Sequence, residues 1–275
     1  MRPSVAPALE ASAHELVERV AKLSSGVRTL NAQVDLAPTA GSVYSGVINE
    51  YHDVKAYILL ESPSTIRMIG QAPVVRTTIF DMVSQGGQFR LYIPPKGKFI
   101  VGENTYQRPA KNALESLRPQ HILDALLIPP IDVPREHYTV HEATDAGKLY
   151  YVIDVLEPAD KDAPGELALK RKLWFDRSNL DVSRLELYGP AGKEVEDVHY
   201  AQYQDFGGVR YPSQLKIDRP VEDYSLSIAF LKATFNQPLS AEKFKLEKPE
   251  GAELVRLGEG DPRPAPPAGE HSRDE

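Results

Sequence analysis

The spacing of apolar residues changes near residue 26, and that change divides the chain. Between about Ala8 and Ser24, Leu9, Ala13, Leu16, Val17, Val20 and Leu23 recur at intervals of three and four, with Glu15, Glu18, Arg19 and Lys22 on the opposite face. This is an amphipathic helix, closed by Ser24-Ser25-Gly26. Its polar face mixes both signs of charge, so the stripe is expected to pack on the protein's own sheet and not on a membrane. After Gly26 the period becomes two, and strands are expected over Val27–Leu36, Ser42–Asn49, Lys55–Glu61, Thr65–Gly70, Thr77–Ser84, Gln88–Ile93 and Lys98–Gly102. The connections between most of them, such as Ser62-Pro63-Ser64 and Gly86-Gly87, are too short for crossovers, which implies antiparallel pairing.

The alternation then stops. Asn112 to Leu127 reads as helical, with Pro119 near a helix start and Ile122, Leu123, Leu126 and Leu127 apolar. The segment that follows, Leu127-Ile128-Pro129-Pro130-Ile131-Asp132-Val133-Pro134, is apolar, yet its prolines bar it from a helix or a central strand. Strands resume at His137–Glu142, Lys148–Leu156, Ala168–Asp176, Asp181–Tyr188, Glu194–Asp205, Val209–Arg219 and Tyr224–Phe235, and a helical turn is expected from Ser240. Beyond Pro249 the chain is rich in Glu, Pro and Gly and is expected to stay disordered.

The predicted architecture is mainly β, of the α+β kind: a single, strongly curved antiparallel sheet that forms an open half-barrel, lidded by a few helices. So many strands in one sheet must coil or close. Residues 8–248 form the predicted domain, between a disordered N-terminus (1–7) and a disordered tail (249–275).

Composition narrows the chemistry. The chain has 275 residues, 41% of them hydrophobic, enough for a core that needs no staple. It has no cysteine, which removes thiol nucleophiles, thiolate zinc sites and iron–sulfur clusters. A net charge of −7 argues against a general nucleic-acid binder. No nucleophile elbow, phosphate loop or dinucleotide fingerprint occurs. His137 and His141 share a strand face ~13 Å apart, too far for one ion, so no metal is expected. The remaining histidines, His121 among them, read as surface or turn residues. Glu194, Glu196 and Asp197 read as a solvated rim beside a hairpin, and Lys170-Arg171-Lys172 as a half-exposed strand. Neither a catalytic residue nor a cofactor is expected.

Ordered along the chain, several motifs carry a resemblance. The helix ends in Leu23-Ser24-Ser25-Gly26-Val27-Arg28-Thr29-Leu30. The meander contains Ile79-Phe80-Asp81-Met82-Val83-Ser84-Gln85-Gly86-Gly87-Gln88-Phe89 and Leu91-Tyr92-Ile93-Pro94-Pro95. The mid-chain helix holds Leu117-Arg118-Pro119-Gln120-His121-Ile122-Leu123. Leu173-Trp174-Phe175-Asp176, Tyr200 and Gly208-Val209-Arg210-Tyr211-Pro212-Ser213 follow. Over roughly Leu9 to Leu246 this order resembles the LolA/LolB-like superfamily of bacterial envelope proteins, the lipoprotein carriers, receptors and sorting-like relatives. The family's membrane-anchored receptor carries an exposed leucine on a protruding loop, and the corresponding apolar loop here, at Pro73, Val74 and Val75, has none.

The resemblance implies a hydrophobic half-barrel cavity that binds a lipid or the acyl chains of a lipoprotein, without catalysis or cofactor, in the periplasm or at the periplasmic face of the outer membrane. No apolar signal segment follows Met1-Arg2-Pro3-Ser4, so an export signal or lipid-anchoring cysteine is then expected ahead of Met1. The alternative it implies is an envelope sensor that binds hydrophobic peptides or lipopolysaccharide and signals to a partner protein. Strand parity points to Ile66, Met68, Phe80, Met82, Phe89, Leu91, Leu185, Leu187, Ile228 and Phe230 as cavity lining, with Leu126 and Ile128 on the lid. Pro73, Val74 and Val75 are the expected membrane-contact loop.

Overall fold

The structure, a computed structural model, describes residues 8–40, 49–50, 54–72, 74–104, 118–159, 165–189 and 192–257. Most of the strand expected at Ser42–Asn49, the first part of the helix expected from Asn112, Pro73 and both outer ends of the chain lie outside these residues. One helix, α1 (Ala13–Gly26), precedes the sheet. Strands β1 (Thr29–Ala40), β2 (Asn49–Glu50), β3 (Val54–Glu61), β4 (Thr65–Gln71), β5 (Thr78–Gln85), β6 (Gln88–Ile93) and β7 (Lys98–Glu103) come next. A second helix, α2 (Pro119–Leu126), leads to β8 (His137–Asp145), β9 (Lys148–Pro158), β10 (Leu167–Asp176), β11 (Val182–Tyr188), β12 (Glu194–Asp205), β13 (Arg210–Arg219) and β14 (Tyr224–Phe235). A 3₁₀ turn at Ala241–Phe244 and a short β15 (Glu253–Arg256) complete the described chain.

These strands form one curved sheet that does not close, in the order β15-β7-β6-β5-β4-β3-β1-β14-β13-β12-β11-β10-β9-β8, with β2 beside β1. From the middle strand, β1, the chain builds outward through β3 to β7. It passes through α2 to the far edge at β8 and returns strand by strand to β14, which pairs with β1. All pairs are antiparallel except β15 with β7.

The register explains why the sheet has one dry face. Ala32, Ile58, Met68, Met82, Leu91 and Ile100 lie opposite one another across six strands on the N-terminal side. Ile153, Leu173, Leu185, Val198, Ile217 and Leu226 do the same on the C-terminal side. Period-two side chains at aligned positions necessarily share a face. Leu16 and Val20 of α1 and Ile122, Leu123 and Leu126 of α2 join this face in one continuous core.

The strands run past residue 248, into the stretch expected to be disordered. Phe244 and Leu246 are buried, and Glu253–Arg256 pairs with the open edge of β7, with the amides of Glu253 and Leu257 donating to the carbonyls of Gly97 and Val101. Edge pairing uses backbone groups alone, so a composition that reads as disordered does not exclude it.

Candidate functional site

Each helix is held over the concave face by identifiable groups. At α1, Ser12 is the N-cap: its hydroxyl accepts from the Glu15 amide at 3.3 Å while the Glu15 carboxylate accepts from the Ser12 amide at 2.7 Å. This reciprocal box satisfies two of the orphan amides of the first turn. Six of the eight residues of α2 are buried, including His121, and Pro119 sits in its first turn. Its C-terminal end is caught by the sheet. The Tyr200 hydroxyl donates to the Ala125 carbonyl at 2.9 Å, and the Tyr211 hydroxyl donates to the Leu126 carbonyl at 2.7 Å. Carbonyls in the last turn of a helix have no intrahelical donor, and two tyrosines from neighbouring strands supply them.

Where α2 ends, a cavity of about 440 Å³ opens between α1 and the strands β11 to β13. Its apolar wall is built from Leu23, Leu126, Ile128, Val182 and the rings of Tyr200 and Tyr211, and Tyr203 also contributes. The hydroxyls of all three tyrosines are engaged, that of Tyr203 with the Val182 carbonyl at 2.8 Å. Burial pushes the ionisation of each hydroxyl to higher pH, so the tyrosines stay uncharged. Behind it, Phe230 and Phe235 pack on Tyr211 with ring centroids 5.6 and 5.0 Å away. A second cavity, about 310 Å³, lies against Leu123, Pro129, Arg171 and Leu187. Leu127 and Ile128 form part of both.

The proline-bearing segment that continues from Ile128 is strapped down. Arg171, 2% exposed, donates to both oxygens of Glu136 at 2.9 and 2.8 Å and to the Pro130 carbonyl at 3.0 Å. The Glu136 carboxylate also accepts from the Asp132 amide. Partial burial works against its charge, but these donors, with Lys170, prevail and hold Glu136 down at about 2. The strand is half-exposed, as alternation implies: Lys170 and Lys172 lie on its outer face, and Arg171 turns inward, where a carboxylate meets it.

A buried polar cluster lies under α2. Arg219 donates to Glu196 at 2.8 Å and to Glu222 at 2.8 and 3.2 Å, and all three are buried. One guanidinium between two carboxylates leaves a net negative charge in the core unless one carboxylate keeps its proton. Glu196 is that one. Desolvation, opposed by Arg219 and reinforced by Asp124, pushes it up to about 8, and its Oε1 has no partner. His121, on α2, is held well below its ordinary value by burial and by the nearby charges of Arg219 and Arg118. Two expectations are overturned here. Glu196 is fully buried, not part of a solvated rim, because it shares parity with Val198 and Tyr200. His121 is buried because α2 lies on the sheet. Asp197 is also mostly buried, on the other face, where it pairs with Arg184 at 2.7 and 2.8 Å and with His199 at 3.2 Å.

The predicted lining divides in two. Leu126 and Ile128 line the larger cavity, and Leu187 and Ile128 the smaller. Ile66, Met68, Phe80, Met82, Phe89, Leu91, Leu185, Ile228 and Phe230 are buried in the packed core. Leu23, Val182 and the three tyrosines are wall residues missed as lining, although Tyr200 and Tyr211 stand at buried positions of their strands. At the tip of the β4–β5 hairpin, Val74 and Val75 are 90% and 69% exposed. Among the described residues, no group of three or more His, Asp or Glu side chains is placed to hold a metal, and no helix is long and apolar enough to cross a membrane.

No protein-family model and no curated protein matches the sequence. Solved structures do match in fold. A DUF1329 family protein from Desulfovibrio piger superposes with a TM-score of 0.56 at 14% identity, over 84% of this chain and 95% of that one. A LolA superfamily protein from Nitrosomonas europaea gives 0.53 at 11% identity, over 86% and 99%. A domain described as an outer-membrane lipoprotein-sorting protein from Vibrio parahaemolyticus gives 0.50 at 12%, over 84% and 94%. The fold is therefore LolA/LolB-like.

Proposed function

We propose that this protein is a non-enzymatic binder of a lipid or of an acylated ligand in the bacterial cell envelope, and that the cavity between α1, the end of α2 and β11–β13 receives the acyl chain. The observation that carries this reading is the wall itself: aliphatic side chains and aromatic faces, with every tyrosine hydroxyl already satisfied. Such a surface offers an incoming ligand little besides apolar contact. Each methylene buried there contributes about 0.8 kcal/mol, so capture is strong and release needs the cavity to open. Leu127 and Ile128 separate the two cavities, and their withdrawal would join the spaces into one. The shared fold with a lipoprotein-sorting domain supports a carrier role on the periplasmic side of the envelope.

Val74 and Val75 are proposed as the contact with a membrane surface during loading or delivery, because two fully presented valines on a hairpin tip have no packing role to explain them. Gentle purification followed by lipid extraction and mass spectrometry tests the reading directly. A co-purifying lipid, displaced from a Val182→Trp variant whose indole fills the cavity, is the expected result. No co-purifying lipid together with no uptake of a fluorescent fatty acid would end it. Val74→Asp should leave the folding midpoint unchanged and abolish flotation with anionic vesicles.

A further inference from the structure

Cations stand at the mouth of the larger cavity. Arg19 and Lys22, one helical turn apart on the exposed face of α1, both line it beside Leu23. Neither forms an ion pair with any described residue. The nearest carboxylates lie on the same helix, four residues ahead of each cation: Glu15, which also accepts in the Ser12 capping box, and Glu18, 3.4 Å from His14. Glu10, Glu15 and Glu18 line a neighbouring groove, which Arg19 and Lys22 also line, and not the cavity. The remaining charged residues of the lining, Asp181 and Arg210, neutralise each other through both carboxylate oxygens. The cavity lining therefore carries two more cations than carboxylates, on a chain whose net charge is −7.

We infer that the ligand is a single-chain anionic amphiphile, with its alkyl chain in the cavity and its carboxylate or phosphate head group against Arg19 and Lys22. This deepens the proposed lipid binding and rests on it. The volume sets the chain number. A methylene takes about the space of a water molecule, about 30 Å³, so 440 Å³ holds one long chain and not two side by side. The charges set the head group: an anion at the mouth gains two charge-assisted contacts, whereas a cation there meets repulsion. Because both cations are solvent-exposed, each is worth only about two- to fivefold in affinity, and the contribution falls with salt.

Displacement of the neutral dye Nile red by palmitate, monopalmitoylglycerol and hexadecyltrimethylammonium tests this, with the intact protein, an Arg19→Gln/Lys22→Gln variant and a Lys232→Gln control on β14. The substitutions lie on exposed positions, and glutamine is a good helix former, so folding is preserved. Palmitate should displace the dye about tenfold more tightly than monopalmitoylglycerol. That preference should vanish in the double variant, persist in the control and shrink as salt is raised. Equal displacement by all three amphiphiles, or a preference that survives the double variant, would overturn the anionic head group while leaving lipid binding intact. Displacement by none of them, with no dye uptake, would overturn both readings. Palmitate and a monoacyl phosphate such as lysophosphatidic acid then separate carboxylate from phosphate, and stronger displacement by a two-chain phospholipid would refute the single chain.

Discussion

Replacing Glu196 with glutamine turns the cluster under α2 into a measurement of one buried proton. In the native protein Glu196 is raised to about 8 from an ordinary value of 4.5, and its Oε2 accepts from Arg219 at 2.8 Å. The folded state therefore holds a proton that the unfolded chain gives up between those two values. Stability from this group is complete below pH 4.5 and is lost as pH rises toward 8. The slope is at most about 1.4 kcal/mol per pH unit, on the order of 5 kcal/mol over the window. Glutamine keeps an acceptor for Arg219 and has no proton to lose. Its amide takes the place of the unpartnered Oε1 at a cost that does not vary with pH.

Urea denaturation followed by the fluorescence of the single tryptophan, Trp174, at pH 5.5, 6.5, 7.5 and 8.5 gives the comparison. His121 contributes a change of opposite sign, because its neutral buried form is lost on acidification, but it does so in both proteins and cancels in their difference. Relative to the Glu196→Gln variant, the native protein should lose stability steadily between pH 5.5 and 8, then level off. A difference that stays constant across this range would show that Glu196 is ionised when folded and that Arg219 carries both carboxylates. A native protein that gains on the variant as pH rises would refute the argument outright.

Three further outcomes follow from local geometry. Tyr211→Phe leaves the buried Leu126 carbonyl without a donor and should cost about 1–3 kcal/mol, with amide exchange accelerating in α2 before the sheet. Gly70→Ala places a methyl 2.1 Å from the Phe80 ring, and the shift this forces in a fully buried phenylalanine should cost about 1–3 kcal/mol in the urea midpoint. Glu136→Gln loosens the strap around Pro130. Trypsin should then cut after the exposed Arg135 many times faster at pH 7 than in the native protein, where the ionised Glu136 keeps the strap closed.

The strands were legible because alternation is a local property. Thr65–Gly70, Gln88–Ile93 and Tyr224–Phe235 differ from β4, β6 and β14 by a residue at most. Parity also placed Ile66, Met68, Phe89 and Leu91 on the buried face. Helix α1 was legible from its stripe, but its start at Ala13 is set by the Ser12–Glu15 box rather than by apolar spacing. The cavity was not legible. Its wall depends on where α2 ends above β12 and β13, and the hydroxyl contacts of Tyr200 and Tyr211 join residues 75 and 85 positions apart. Glu196 shows a different failure. Its parity with Val198 and Tyr200 was readable, but the acidic run beside a hairpin outweighed it, and the compensating Arg219 comes from the next strand.

The pairing of β1 with β14 has a consequence for biogenesis. The two halves of the sheet, β3 to β7 and β8 to β14, are meanders that can form from neighbouring sequence. Their junction joins Leu30 to Phe235 and Ala40 to Tyr224, and it is clasped by Asn236, whose side chain accepts from the Arg28 amide and donates to the Gly26 carbonyl. None of these contacts can form until some two hundred residues have been synthesised, and closing so long a loop is slow. The first strand to emerge gains β14 as its neighbour only after β3 to β13 have been made. During synthesis β1 presents an open edge that the nascent chain or a chaperone must protect, and the cavity takes shape only when this seam closes.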